Sequence, residues 1–597
     1  MLIFIENVKI LLVGNYTNKR GNMYLDISVK IPSVQGKITR RSKGGTVYIE
    51  FEYERIYDPE RRYTNVKRAT IGKQCSENQE RMFPNQNYLK YFPDAELPEE
   101  KDRSVRSCCL RIGPYLVIEQ IIKDYHLDRI LGDYFFDNEL GFFLDLVAYS
   151  IIAENNAGQY YPDYAYNHPL FTERMRIYSD SKVSSFLNSV KDEQSVGFLN
   201  RWNEKRNHRE KIYFSYDSTN KICQAGDIEM VEYGHAKDQK GLPVFNYSIA
   251  YDSKNEEPLF YEKYPGSIND VSQLHFMIDK ARSYGYRKVG FILDRGYFSK
   301  DNIKYMDEAG YSFIIMSKGM NALVKNIIET NAGTFEKKHV SRIEDYNLYG
   351  KTVKAKLFAD DTEERYFHIY HSSAKESTER NRLNSKIDQM KKFLEHNSNK
   401  EKQFSDEIRK YFELIYDEKG AKFLFAEPKS DVFDEENNLC GYFVIITSEK
   451  MSARNAIELY KSRDVSEKLF KGDKSYLGNK SIRVHSSESA SAKIFIEFVA
   501  LIIRNKIYRC LKHEMKKLGK RLNYMTVPGA IRELEKIEMG RQMDNVYRLD
   551  HAVTANQKAI LKAFGMDAGY VMRKAMELSD ILRHKTTNET ESNEEEY

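Results

Sequence analysis

Tyr460, Arg463, Glu467 and Lys474 lie in one stretch at offsets of zero, three, seven and fourteen residues: Tyr460-Lys-Ser-Arg-Asp-Val-Ser-Glu-Lys-Leu-Phe-Lys-Gly-Asp-Lys474. On a helix of 3.6 residues per turn these positions stay within about a sixth of a turn of one another. A phenol, a guanidinium, a carboxylate and an ammonium would then share one stripe. Such a stripe suits a phosphodiester bound beside a metal ion: the carboxylate holds the cation, and the other three neutralise or hydrogen-bond phosphate oxygens. Gly472, two residues before Lys474, is a helix-ending residue, so the lysine can also reach a phosphate from a loop.

One carboxylate does not make a metal site, and two aspartates supply the missing ligands. Lys211-Ile-Tyr-Phe-Ser-Tyr-Asp217 reads as an apolar and aromatic strand ending in an acid, with Ser218 and Thr219 after it. Lys288-Val-Gly-Phe-Ile-Leu-Asp294-Arg295-Gly has the same form. Both aspartates are thereby expected at the carboxyl ends of strands, the edge at which open α/β sheets bind ligands. Taken singly, each residue has a plainer reading. An aspartate after a strand is usually a turn-former or N-cap, and Arg463 with Glu467 at i, i+4 makes a surface ion pair worth a few tenths of a kcal/mol. Trp202, the single tryptophan, stands ahead of the first strand, where it either joins the core or stacks on a flipped base. Arg295 has an equal choice between a phosphate contact and a structural role.

Taken together, these residues carry a family likeness. The chain resembles the DDE transposases of insertion sequences, in the superfamily with the signature Y-x2-R-x3-E-x6-K, which Tyr460, Arg463, Glu467 and Lys474 meet in full. The flanking text also resembles that group: Tyr233-Gly-His-Ala-Lys237-Asp238, Pro243-Val-Phe-Asn-Tyr, Phe260-Tyr-Glu-Lys-Tyr-Pro-Gly266 and Cys440-Gly-Tyr-Phe-Val-Ile-Ile-Thr447. The likeness covers roughly residues 110 to 570 and is nearest to the larger members, which carry an insertion before the glutamate. It implies Asp217, Asp294 and Glu467 as catalytic metal ligands, with Tyr460, Arg463, Lys474, Arg295 and Trp202 toward DNA. It implies two Mg²⁺ per active site, Mn²⁺ substituting, and a homodimer on paired ends. The implied partners are double-stranded DNA in two forms, terminal inverted repeats and target. The implied chemistry is hydrolysis at the element's ends and then attack of the freed 3′-hydroxyl on target DNA. A domesticated DNA-binding architectural protein, or a nuclease that cuts without joining, is the alternative.

The elements that must position these residues follow from changes of period. Residues 206–320 read strand, strand, strand, helix, strand, helix, strand, the order of a ribonuclease H-like core. The strands are expected near 211–216, 226–232, 244–251, 288–293 and 311–317, and the helices near 270–284 and 299–308. Glu467 lies far beyond Asp294, so an inserted β-rich and α domain is expected over 321–448, before the core resumes at 449–520. The expected fold class is thus α/β, a mixed sheet flanked by helices and interrupted by that insertion. Residues 1–105 alternate as a β-rich module, 106–205 turn helical, 521–583 add further helices, and the acidic tail 584–597 reads as disordered. Basic residues around 37–43 and 61–68 suit a DNA-gripping hairpin and equally a solvated strand rim.

Composition agrees with a multidomain, polyanion-handling protein. Lys+Arg 93 against Asp+Glu 88 over 597 residues leaves a net charge of +5, so any basic surface is local. The six cysteines, at 75, 108, 109, 223, 440 and 510, form no CxxC pair and no zinc-ligand spacing, which reads as a reduced protein without structural zinc. Charged Glu6 and Lys9 break the apolar opening, so it reads as a strand rather than a signal peptide. No apolar run reaches the roughly 20 residues a membrane span needs, and there is no GxxxxGK[ST], so neither a membrane nor a nucleotide cofactor is expected. The expected location is the nucleoid-associated cytoplasm of a prokaryote.

Overall fold

The structure is a computed structural model. It describes residues 24–592 except 26, 60–61, 98–105, 207–209, 225–227, 234–240, 269, 318–321, 418–419, 421 and, apart from Leu477, 465–480. Two compact units are present, one of Met1–Val190 with Ile503–Tyr597 and one of Lys191–Ile502.

The first unit opens with an antiparallel sheet of β1 (Val29–Lys30), β2 (Ile38–Lys43), β3 (Thr46–Asp58), β4 (Tyr63–Gln74) and β5 (Arg81–Pro84), in the order β1-β5-β4-β3-β2. Gly44 and Gly45 turn β2 into β3 with φ of +56° and +77°, the left-handed pair that a two-residue hairpin demands. Val29, Ile49, Ile71, Met82 and Tyr88 form the core of this sheet. Strand β6 (Cys109–Arg111) follows, and then a helical run that includes Gly113–Tyr125 and Asp137–Ile152.

The second unit is built on one large mixed sheet. Its first strands are β7 (Ile212–Ile222), the short β8 (Glu232–Tyr233), β9 (Pro243–Asp252), β10 (Glu257–Pro265), β11 (Val289–Leu293) and β12 (Ser312–Met316). Helices Asp270–Ser283 and Lys300–Glu308 lie between β10, β11 and β12 in the chain. Further strands are β13 (Arg342–Ile343), β14 (Leu348–Lys356), β15 (Glu364–His371), the separate hairpin β16 (Phe412–Tyr416) with β17 (Phe423–Pro428), and β18 (Tyr442–Thr447). The order is β10-β9-β7-β11-β12-β18-β15-β14-β13, with β8 beside β9. Strands β7, β11 and β12 run parallel at the centre, and the remaining neighbours are antiparallel. Strand β11 is buried along its whole length, as its run of Val-Gly-Phe-Ile-Leu requires of a parallel central strand. Gly290 is needed there, because a Cβ would come within 2.4 Å of the Tyr213 ring on β7.

Several elements differ from the sequence expectations. The third antiparallel strand is β10; of 226–232, Glu232 alone among the described residues is in a strand, at the start of β8. Strand β7 does not stop at Asp217; it continues to Ile222 because β9 pairs with it from Phe214↔Asp252 to Ile222↔Val244. Within 321–448 only the hairpin β16–β17 forms a sheet of its own among the described residues, while β13, β14, β15 and β18 extend the central sheet past β12. A lobe with its own core, Leu394, Phe404, Ile408, Tyr411, Phe412 and Phe423, is confined to the segment between β15 and β18. In the first unit, β19 (Glu538–Arg541) and β20 (Tyr547–Leu549) join β6 in one small sheet, so the regions 106–190 and 521–583 share a unit. The final helix, Ala568–Ser592, runs through most of the segment whose composition reads as disordered. Met1–Gly14 lies outside the described residues.

Candidate active site

The central parallel strands set the positions of the two aspartates. Registers pair Tyr216 of β7 with Leu293 of β11, and there β11 ends. Asp217 and Asp294 are each the next residue, so their backbones stand side by side on neighbouring parallel strands, about 4.8 Å apart. From Asp217 onward β7 keeps β9 on one side, while on the side that faced β11 no strand among the described residues pairs with it until Ile222 bridges to Ser481. Such an opening beyond the carboxyl end of a parallel strand is where α/β sheets bind ligands.

Asp294 ends β11 by capping a short helical turn over Arg295–Tyr297, its Oδ1 accepting from the Arg295 N–H at 2.7 Å. Arg463 Nη1 meets the same Oδ1 at 2.9 Å. The carboxylate is 44% exposed and the guanidinium 14% exposed, so the acid faces the opening and the arginine backs it. Arg295 is solvent-exposed. The Asp217 side chain, Glu467 and Lys474 lie outside the described residues. The described ends of the intervening segment are informative in themselves. Arg463 contacts Asp294 at one end, and Ile482 N donates to Ile222 O at 2.9 Å at the other. Glu467 is four residues from the first of these anchors.

Helix Ala453–Lys461 positions Arg463. Ser452 caps it, its Oγ accepting from Asn455 N at 3.1 Å, and Ala456, Ile457 and Tyr460 are buried at helical spacing. The helix ends at Lys461, and Arg463 N turns back to Tyr460 O at 3.2 Å, so the described part of the signature spans a helix end rather than one unbroken helix. Tyr460 is 5% exposed and packs with Ile292, Ile314, Tyr370 and Ile457. The Arg463 guanidinium lies over its ring, 5.4 Å from the centroid. The three-residue spacing therefore seats an arginine on an aromatic platform and aims it at Asp294, and Tyr460 serves as core support rather than as a surface DNA contact.

Trp202 departs further from expectation. It is 0% exposed, its Nε1 donates to Pro258 O at 3.0 Å, and the Arg206 guanidinium covers its ring at 3.7 Å. A ring held in this way is a core element behind β10 and is not available for stacking on a base.

Two residues that the sequence reading passed over lie under the site. Lys221, four residues past Asp217 on β7, forms an ion pair with Glu497 of helix Ser487–Leu518, and the two side chains are 0% and 3% exposed. The Lys221 ammonium also sits 5.0 Å from the Tyr247 ring centroid. One turn earlier on that helix, Lys493 donates to Arg483 O at 2.8 Å. Burial first, and then the Arg483 charge, push the Lys493 ammonium down to about 8. A charged residue in the middle of Ile494-Phe-Ile-Glu497-Phe-Val was the available signal, since a buried carboxylate needs a cation.

Residues 214–503 match the family model described as Transposase DDE domain. The matched segment begins in β7, contains both aspartates and all four signature positions, and nearly coincides with the second unit. It supports a DDE transposase, a class of DNA-cutting and joining enzyme that generally uses divalent metal ions. No curated protein matches the chain. Among solved structures, the cryo-EM structure of piggyBac transposase synaptic complex with hairpin DNA is similar at 8% identity and a TM-score of 0.33, covering 71% of this chain and 79% of that one. Among the described residues no helix is long and apolar enough to cross a membrane.

Proposed function

We propose that the protein is a DNA transposase whose active site is Asp217, Asp294 and Glu467 on a ribonuclease H-like core. What carries this reading is the register that brings Asp217 and Asp294 side by side beyond the end of β11, within the segment that matches the Transposase DDE domain. The element order β7, β9, β10, helix, β11, helix, β12 supports the same core.

Three hard-oxygen donors without sulfur suit Mg²⁺, with Mn²⁺ as a substitute. Among the described residues no group of three metal-ligating side chains converges, but that description contains only Asp294 of the three. The donor chemistry therefore fits, with Asp217, Asp294 and Glu467 holding the ions. Bound there, a pair of divalent ions would supply Lewis-acid stabilisation to the attacking and leaving oxygens.

The chain's own residues supply positioning. Arg463 and the Arg295 N–H fix one oxygen of Asp294, so the carboxylate keeps a single orientation. Lys221 and Glu497 lock helix Ser487–Leu518 under the strand that carries Asp217. In the first reaction water attacks phosphorus at the element's end, the P–O3′ bond breaks, and the proton goes to the leaving 3′-oxygen. In the second, that 3′-hydroxyl attacks a target phosphodiester and a target P–O3′ bond breaks. One diester replaces another, so no nucleotide cofactor is required. The DNA partners are the terminal inverted repeats and the target, gripped by a dimer on paired ends.

The test is divalent-ion-dependent cleavage and joining of a duplex carrying the element's terminal repeats, comparing wild type with Asp217→Ala, Asp294→Ala and Glu467→Gln. The reading requires wild type to cleave and join, and each variant to bind DNA and do neither. Variants as active as wild type refute the site. Cleavage without joining makes the protein a nuclease, and binding alone makes it an architectural protein.

A further inference from the structure

We infer that the outer half of the β3–β4 hairpin is a DNA-binding arm, a two-stranded ribbon of the first unit that lies in a groove of duplex DNA. This rests on the proposal above only in taking DNA as the partner.

Geometry comes first. Strand β2 pairs with β3 only as far as Phe51, and β5 pairs with β4 only from Gly72 onward. Glu52 N still donates to Lys37 O at 2.8 Å; beyond it, among the described residues, the two long strands pair only with each other, from Glu54↔Lys67 out to Asp58↔Tyr63. At about 3.3 Å per residue this free ribbon is roughly 16 Å long. A register shift between Glu52 and Glu54 bulges it where it leaves the sheet, which bends and twists the ribbon out of the sheet plane. A two-stranded ribbon of this kind fits the major groove of B-DNA, about 12 Å wide.

Surface chemistry points to the same occupant. The ribbon exposes Tyr57 at 61% and Tyr63 at 64%, with Ile56 at 45%. Phenols so displayed donate to phosphate or lie against bases and sugars. Arg55 and Arg62 are exposed beside them, with Lys67 and Arg68 on the returning strand. Over residues 24–92 there are 13 Lys and Arg against eight Asp and Glu, a local surplus of five that suits a polyanion partner. Arg55 and Arg68 are paired with Glu52 at 2.6 and 3.9 Å, and Lys67 with Glu54 at 2.8 Å. Glu52 is buried and holds its arginines, but the Lys67–Glu54 pair is exposed on both sides and worth about 0–1 kcal/mol, so a phosphate readily exchanges for the Glu54 carboxylate. Among the described residues Lys37, Lys43, Arg62 and Lys73 make no ion pair.

The experiment is fluorescence anisotropy of a labelled mixed-sequence duplex with the full-length chain over a series of salt concentrations. Arg62→Gln/Lys67→Gln/Arg68→Gln should bind at least about tenfold more weakly and flatten the log K against log salt slope by roughly 2–3. Tyr57→Ala/Tyr63→Ala should weaken binding without changing the slope. Glu54→Gln, which releases Lys67, should bind more tightly, a gain that misfolding cannot produce. If wild type binds and the triple variant matches it in affinity and slope, the arm is refuted and the catalytic reading stands. If sedimentation shows that the triple variant loses self-association instead, the ribbon docks on a second copy and the inference fails. A wild-type chain that binds no duplex refutes both.

Discussion

Replacing Glu497 by Gln removes the carboxylate that meets the buried Lys221 ammonium from helix Ser487–Leu518, and the cost can be worked from the structure. Both side chains are sealed from solvent, at 0% and 3% exposure. At hydrogen-bond contact and an effective dielectric near 20, their attraction is about 5 kcal/mol. Desolvation of the two ions offsets most of that, so the intact pair is close to neutral in net stability. A single substitution changes the balance sharply. Glu497→Gln takes the paired carboxylate from an ammonium that also lies 5.0 Å from the Tyr247 ring centroid, and Lys221→Met takes the ammonium from a buried carboxylate, each costing about 3–5 kcal/mol. With roughly 2.1 cal/mol/K of unfolding entropy per residue over Lys191–Ile502, that is a fall of about 5–8 °C in the melting transition of this unit. The double variant Lys221→Met/Glu497→Leu should return to within about 1 kcal/mol of wild type or exceed it. Calorimetry of the full chain, with the two units' transitions resolved, measures all four corners of the cycle. If the double variant loses the sum of the two singles, there is no coupling and the pair does not lock the helix to β7.

Further outcomes follow from other contacts. Trp202→Phe should destabilise the second unit by roughly 1–3 kcal/mol, through the lost bond to Pro258 O and the space left behind, with duplex affinity unchanged; a selective loss of DNA binding would return the ring to the interface. Arg463→Ala should lower cleavage by about 10²-fold by freeing the Asp294 carboxylate, with Arg463→Lys restoring little because the planar guanidinium stacked over Tyr460 is lost; equal activity would make the contact incidental. His368, buried between Thr352 Oγ1 and Thr447 Oγ1 at 2.9 Å each, is held down to about 4 by burial. Between that value and the ordinary 6.5 the unfolded chain takes up a proton that the folded chain does not, so stability is full above about pH 6.5 and falls by roughly 3 kcal/mol as acid approaches pH 4. Urea unfolding of wild type and His368→Gln across that range should show the slope in wild type alone.

Local pattern made some of this readable, and pairing between distant segments hid the rest. Val289–Leu293 is short, apolar and followed by a capping aspartate, so both β11 and its end were legible. Strand β7 was truncated on paper because Ser218-Thr-Asn-Lys221 has turn-like composition, yet each of these positions is paired with β9. The same holds for β13, β14, β15 and β18: their patterns identify strands, but nothing local says that they continue the sheet beyond β12. The joining of β6 to β19 spans more than 400 residues and has no local signal at all. Tyr460 and Trp202 were read by what their rings can do, whereas burial decides what they do.

The opening at the site arises from a difference in strand length rather than from two strands ending together. If β7 ended at Asp217, as its composition suggests, the acid would sit on a terminus held by one short parallel neighbour. Instead β7 runs five residues further, bonded to β9 throughout, while β11 stops at Leu293 because Asp294 turns its own carboxylate back to cap the Arg295–Tyr297 turn. Asp217 is thus fixed within a continuous antiparallel ladder, and among the described residues no strand pairs with it on the side toward Asp294. Arg463 must then hold Asp294, the less constrained acid of the two, from the opposite direction. A site in which one ligand is fixed by the sheet and the other by a side chain should respond unequally to mutation. Changes along β7 and helix Ser487–Leu518 act through stability, and changes around Asp294 act through activity with stability little altered.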